Sequence, residues 1–229
     1  MKELSRLQLL IGNENIEKLR TKTILIIGLG GVGSYATESL ARSGIGKLIL
    51  VDKDIIDITN LNRQLMTYHS NIGQNKVDVW EKRIKDINND IKIKKIKQCI
   101  LKENIELLFD EKIDFIIDAC DTIETKFEII KQCLQKQIPF ISCMGTGKRM
   151  DPTQMEITEL SKTSYDPLAK VLRKKVRDEK IKGKIPVICS KEQPQKIDST
   201  IIASNSFVPA TAGLFCTSYV INKIIKGEK

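Results

Sequence analysis

The sequence predicts an α/β protein with a doubly wound, mostly parallel sheet. Three observations carry this. Short β-branched runs alternate with stretches of helical period over residues 1–150. A glycine-rich turn joins the first run to the first long helix, and an aspartate closes the second run. Strand, turn, helix and strand in that order make a βαβ unit, which sets the two strands parallel.

Residues 16–19 end a short N-terminal helix, and Thr23–Ile27 is the first strand. Gly28-Leu29-Gly30-Gly31-Val32-Gly33 follows. A helical pattern then runs to Ser43, with Gly44 and Gly46 marking its end. Lys47–Val51 is the second buried strand and ends at Asp52. Val77, Trp80, Ile84 and Ile87 recur at the spacing of one helix face. Residues 91–96 read as a strand, and 115–117 as a short buried strand ending at Asp118. Phe127, Ile130 and Leu134 mark another helix, and 139–143 another strand. Ligands on such a sheet bind beyond the carboxyl ends of its strands.

After Met150 the character changes. Asp151-Pro152 is a turn, and 154–160 reads as a strand. Asp166 as N-cap and Pro167 at the first helical position open a strongly basic helix. Residues 185–190 read as a further strand, 193–199 as an exposed loop and 207–225 as a closing helix. The expected organisation is one unit over 1–229, with a nucleotide-binding core at 1–150 and a substrate-side extension at 151–229.

The chain has 229 residues and is 41% hydrophobic, an ordinary globular balance. Its formal charge of +9 fits a polyanionic partner, though lysines also accumulate on solvated faces. The six cysteines form no Cys-x-x-Cys pair, which argues against a zinc site. Met1-Lys2-Glu3-Leu4-Ser5-Arg6 leads into no apolar run of signal-peptide type, so a reducing cytoplasm is expected. Thr211, Thr217, Ser218, Asn222 and Lys223 interrupt the closing apolar stretch, which reads as a buried helix and not a membrane span.

The glycine turn, with Gly28, Gly30, Gly31 and Gly33, brings backbone N–H groups close to a phosphate at a helix N-terminus. Asp52 follows Gly28 by 24 residues, where a carboxylate grips a ribose hydroxyl. To this point NAD, FAD and ATP all fit. The next segment separates them: Asp54, then Asn60, Asn62, Arg63 and Gln64, then Lys76. Arg63 and Lys76 supply the charge that a triphosphate needs and a hydride carrier does not. Asp118 and Asp121 follow the fourth strand, where a carboxylate can hold Mg²⁺ against the phosphates; Asp121 is the better candidate, and Asp118 equally suits a strand-end role.

Gly28 to Gly33, Asp52, residues 59–64, Lys76 and Asp121 together resemble the ubiquitin-activating-enzyme-like adenylating superfamily, over residues 6–148. The resemblance implies a Rossmann-like ATP site. In it Asp52 binds ribose, Asn62, Arg63 and Lys76 handle phosphates, and Asp121 handles Mg²⁺. It also implies a homodimer in which Arg6 reaches the ATP site of the partner subunit. Ala41 to Gly46, Met144-Gly145 through Asp151-Pro152-Thr153, Lys162-Thr163, Asp166 to Ala169 and Asn205 to Pro209 resemble the branch that dehydrates threonylcarbamoyladenosine in tRNA. That branch implies ATP-dependent loss of water from the modified nucleoside, with a possible sulfur-relay partner protein.

The charge distribution is in keeping with RNA. Residues 162–191 hold ten Lys and Arg against three Asp and Glu, a net of +7. Lys170, Arg173, Lys174, Lys175 and Arg177 form a stripe suited to phosphates. No transferring cysteine stands out; Cys189 lies on the expected active-site side, and a buried strand position is the simpler reading. The loop after Pro194 is shorter than the branch leads one to expect. His69, the only histidine, is expected to be structural. The rival readings are adenylation of a ubiquitin-like sulfur carrier and a nucleotide-binding module without chemistry, with a dehydrogenase last.

Overall fold

The computed structural model describes residues 2–228. The strands are β1 Thr23–Ile27, β2 Lys47–Val51, β3 Lys92–Ile96, β4 Phe115–Asp118, β5 Phe140–Cys143, β6 Met155–Glu159 and β7 Pro186–Ser190. They form one sheet in the order β3-β2-β1-β4-β5-β7-β6. Every pairing is parallel except that of the edge strand β6 with β7. The helices are α1 Ser5–Ile11, α2 Asn13–Arg20, α3 Gly31–Arg42, α4 Lys76–Ile87, α5 Ile123–Lys136, α6 Pro167–Asp178 and α7 Phe207–Lys226.

Alternation along the strands divides the core into two layers, because successive side chains leave opposite faces of a sheet. Ile24, Ile26, Leu48 and Leu50 pack with α3, α4 and α7, around the fully buried Trp80. Leu25, Ile27, Ile49 and Val51 pack on the other face with Phe127, Ile130 and Leu172 of α5 and α6. Both faces are therefore covered, which is why the central strands read as unbroken apolar runs. The edge strand β3 differs: Lys94 pairs with Asp110 at 2.7 Å and Lys95 with Asp78 at 2.8 Å. Charge on an edge discourages pairing with another chain.

The helix α7 has the length and hydropathy of a membrane span. Its residues Val208, Ala212, Cys216, Val220 and Ile224 recur every four positions and are buried in the first layer, as the sequence led one to expect. The N-terminus departs from expectation. Two helices stand where one short helix was predicted, divided at Gly12 with φ +83°. The first was illegible because it buries none of its residues, so no core-facing period marks it.

The strands β1 and β4 are neighbours in register, Ile27 beside Asp118. Their outgoing helices lie on opposite faces, α3 in one layer and α5 in the other. The sheet thus switches direction between them and leaves a crevice beyond their carboxyl ends.

Candidate active site

That crevice is a cleft of about 800 Å³. Glycines shape its nucleotide side. Gly28 leaves β1 with φ +84°, and a Cβ there would lie 2.7 Å from the Ala119 carbonyl oxygen. Gly33 sits beneath the wall, where a Cβ would lie 1.8 Å from the Gly28 carbonyl oxygen. Only glycine permits both approaches. Gly30 and Gly31 line the cleft at the start of α3. There unpaired N–H groups and the helix dipole favour an anion.

Asp52 stands at the end of β2 with its side chain 7% exposed. One carboxylate oxygen accepts from the Leu29 N–H at 2.7 Å, the other from the Asp54 N–H at 2.8 Å. Lys76 opens α4; its ammonium lies 3.0 Å from Asp54 and 3.8 Å from Asp52. Both acids thus hold a cation at the cleft wall. Asn60 locks the turn before α4: its side-chain Oδ1 accepts from the Asp57 N–H at 3.2 Å. The Thr59 hydroxyl and then its amide hold the Asp57 carboxyl below the ordinary range.

Arg63 lies over the Gly31 end of α3, with one guanidinium nitrogen 2.8 Å from the Thr59 carbonyl and 3.0 Å from the Asn62 side-chain oxygen. It has no carboxylate partner among the described residues. Asn62 stands off the wall and donates to the Ser204 carbonyl at 3.0 Å, tying this loop to the 204–206 segment. Gln64 lines the cleft, and its carboxamide oxygen is buried without a hydrogen-bond partner among the described residues. A buried acceptor of this kind fits a site that takes up a hydroxyl-bearing or amino-bearing ligand such as a nucleotide.

The two carboxylates after β4 have parted. Asp118 is fully buried, 2.9 Å from the equally buried Lys126 and off the cleft wall. Of the two readings open for it in the sequence, the structure gives the strand-end one. Asp121 is exposed in the cleft, with a single 3.5 Å contact from the Thr122 hydroxyl. A lone carboxylate beside phosphates suits Mg²⁺, which keeps most of its waters. No group of three or more metal-ligating side chains occurs among the described residues.

The substrate side was harder to foresee. Residues 145–149, Asp166 to Leu168, Pro194, Ile202 and Ser204 converge on the cleft from four segments. Arg149 is 2% exposed, and its guanidinium meets the buried Asp166 carboxylate at 3.0 Å. Asp166 is the N-cap of α6 as expected, accepting from the Ala169 N–H at 2.7 Å. Asn205 donates to the Arg149 carbonyl at 2.7 Å and accepts from the Val208 N–H at 2.9 Å. It thereby joins the loop to the start of α7. Sequence reasoning missed Arg149 as a cleft residue. The motif Met144-Gly145 through Thr153 that marks the branch was the one signal near it.

The basic helix divides in two. Lys170, Lys174 and Arg177 are exposed. Arg173 turns back to the Thr163 carbonyl at 2.9 Å, and Lys175 pairs with Glu124 at 2.7 Å over the Phe127 ring. The expected stripe of five thus leaves three side chains exposed, because the periodicity that predicts a helix does not say which of its cations find partners at home.

Of the cysteines, Cys99 is exposed and lines the cleft, while Cys120 and Cys189 are held protonated. Burial, then Asp118, pushes Cys120 upward, and burial pushes Cys189 up to about 12. A protonated buried thiol is no nucleophile. His69 sits exposed on a single 3-10 turn outside the cleft. Arg6 is exposed on α1 and does not line the cleft of its own chain.

The ThiF family model matches residues 4–222. The chain is 43% identical to the tRNA threonylcarbamoyladenosine dehydratase of Bacillus subtilis, over 98% of this chain and 95% of that one. Two crystal structures of the Escherichia coli tRNA N6-threonylcarbamoyladenosine dehydratase, 30% identical, cover 99% of the chain and 95% of their own. The complex with ATP has a TM-score of 0.93 and the complex with AMP 0.94. The chain belongs to the ThiF family, on the branch of the tRNA threonylcarbamoyladenosine dehydratases.

Proposed function

We propose that this protein dehydrates threonylcarbamoyladenosine beside the anticodon of tRNA, using ATP and passing through an acyl-adenylate. The observation that carries the reading is the two-sided cleft: a phosphate-binding glycine turn faces a wall built from the segments that mark the dehydratase branch. The threonyl carboxylate oxygen attacks the α-phosphorus of ATP. A P–O bond forms, the bond to the β-phosphate oxygen breaks, and pyrophosphate leaves with the electron pair. The carbamoyl group then closes onto the activated carbonyl carbon and AMP leaves, carrying the oxygen that the substrate loses as water.

Each residue has a part. Asp52 accepts from a ribose hydroxyl. The Gly28 to Gly33 turn, Arg63 and Lys76 hold the phosphates and meet the charge that grows as the bond to pyrophosphate breaks, while Asn62, off the wall, ties the loop to Ser204. Asp121 would hold Mg²⁺, which screens the triphosphate from the incoming carboxylate. Asp54 releases Lys76 to the phosphates, and Asn60 and Gln64 complete the wall. The chain acts as a homodimer. Arg6, which does not line its own cleft, serves the partner's, and the 88% and 81% exposure of Leu9 and Leu10 on the same helix supports a covered α1. The exposed lysines of α6 meet tRNA phosphates.

A mass-spectrometric nucleoside assay tests the reading. Protein, ATP, Mg²⁺ and tRNA bearing threonylcarbamoyladenosine should yield the nucleoside less one water, only when ATP is present. An unchanged nucleoside with the ATP site shown to be filled would overturn it. Exchange of pyrophosphate into ATP dependent on a ubiquitin-like carrier would then identify the rival substrate. The thiols of Cys120 and Cys189, both pushed above their ordinary range, weigh against a cysteine thioester at those two positions.

A further inference from the structure

We propose that Lys126, with Asp118 and Ser142, is a positioning network for the nucleotide site, fixing the 119–122 turn so that Asp121 stands where a phosphate-bound cation needs it. The inference rests on the reading of Asp121 as the metal-holding carboxylate.

Lys126 lies in the first turns of α5 and is completely buried. Its ammonium donates to a carboxylate oxygen of Asp118 at 2.9 Å, to the Asp118 carbonyl at 3.3 Å and to the Ser142 hydroxyl at 3.3 Å. Those contacts match its three donors. Ser142, on β5, donates to the same Asp118 oxygen at 2.6 Å. The other Asp118 oxygen accepts from the Cys120 N–H at 3.2 Å and the Cys120 thiol at 3.0 Å. The network therefore ends on the backbone of the turn. Its opposite side is held by β1: Ala119 N–H donates to the Ile27 carbonyl at 2.8 Å, and the Ala119 carbonyl rests against Gly28.

Packing alone does not call for these residues. An ion pair buried this deeply costs much of its attraction in lost hydration, and apolar residues of the same size often serve stability as well or better. The arrangement instead converges on four residues, Ala119 to Thr122, that all line the cleft, while Asp118, Lys126 and Ser142 all stay out of it. The network touches no ligand and acts through the turn, as hydrogen-bond partners behind a metal ligand do.

The test measures ATP binding against Mg²⁺ concentration by calorimetry, with AMP binding as reference, so that no turnover of tRNA is needed. Ser142→Ala, which removes one link and spares the ion pair, and Lys126→Met are compared with Asp121→Asn. Loss of this support should raise the Mg²⁺ needed for half-maximal ATP binding by about tenfold in Lys126→Met and less in Ser142→Ala, with AMP affinity unchanged. A purely structural role would lower the melting temperature and leave the Mg²⁺ dependence alone, and that result would overturn the proposal. If Lys126→Met does not fold, Ser142→Ala decides by the same readout. A shift in Asp121→Asn without one in Ser142→Ala sinks the network and keeps the metal assignment. No shift in Asp121→Asn sinks the metal assignment and the network with it.

Discussion

The two walls of the cleft are built by opposite means. On the nucleotide side, Asp52 stands at the end of β2, Lys76 at the start of α4 and Arg63 in the loop between them. Asp52 is braced by Leu29 and Asp54, and Arg63 by Thr59 and Asn62. On the substrate side, Arg149 is braced by Asp166, Tyr165 and Ser190, residues brought in from other segments. The first wall is polar and open to the ligand it awaits. The second is closed by a buried ion pair, with the Arg149 Nε left without a hydrogen-bond partner among the described residues. The difference teaches that one wall can adapt to phosphates while the other holds a fixed shape.

The strongest way to break this comparison is to cut the buried pair. Arg149→Ala leaves the Asp166 carboxylate buried and uncompensated, and should cost about 3–5 kcal/mol of folding stability. Urea unfolding measures it. An unchanged midpoint would mean that the substrate wall is not held as a fixed shape. On the nucleotide wall the effect should appear in catalysis and not in stability. Arg63→Ala removes a half-exposed cation whose contacts are to its own loop. Turnover should fall on the order of 10²–10³, or about 2.7–4 kcal/mol, with the unfolding midpoint unchanged. Wild-type turnover would remove Arg63 from the phosphate site.

The same contrast explains what was legible in the sequence. The glycine turn, Asp52, Arg63 and Lys76 stood out because their roles depend on spacing along a βαβ unit, and chain distance sets spatial distance there. Arg149 had no such signal, since Asp166 and Ser190 lie 17 and 41 residues away. Asp121 was the better metal candidate in the sequence, but Asp118 in the same short run stayed open between ligation and a strand-end role; burial decided it, and burial depends on β5 and α5 closing over the turn. In α6 the basic stripe was visible, but the partners of Arg173 and Lys175 come from Thr163 and from α5.

A milder contrast sharpens the point about ion pairs. On the nucleotide side, Glu38 of α3 meets Arg83 of α4 at 2.6 Å and Arg42 at 2.7 Å, partly open to water. Burial pushes the Glu38 carboxyl up, but hydrogen bonds from Arg83 and then Arg42 outweigh it, and the net shift is downward. A carboxyl lowered on folding stabilises above its ordinary value, and that contribution is lost as pH falls through the folded value. Glu38→Gln should therefore cost on the order of 1 kcal/mol at neutral pH, less than the buried pair because solvent screens it. The gap from wild type should close in acid. A pH-independent gap would show that the contact works through packing and not charge.

The smallest expected effect lies on α6, where both kinds of cation share one helix. Lys170 and Lys174 are exposed and have no partner among the described residues, while Arg173 is engaged by Thr163. If tRNA phosphates are met by whatever charge the fold leaves free, Lys174→Gln should weaken tRNA binding uniformly across sequences. It should also reduce the slope of log affinity against log salt by about one. Arg173→Gln should change that slope little and act on the Thr163 turn instead, lowering stability. Filter binding of tRNA at several salt concentrations separates the two. Equal slope changes would mean that Arg173 leaves Thr163 when tRNA arrives, and that the substrate side adapts after all. No change in either would move the RNA surface off α6, and the net of +7 in this segment would then belong to a solvated face.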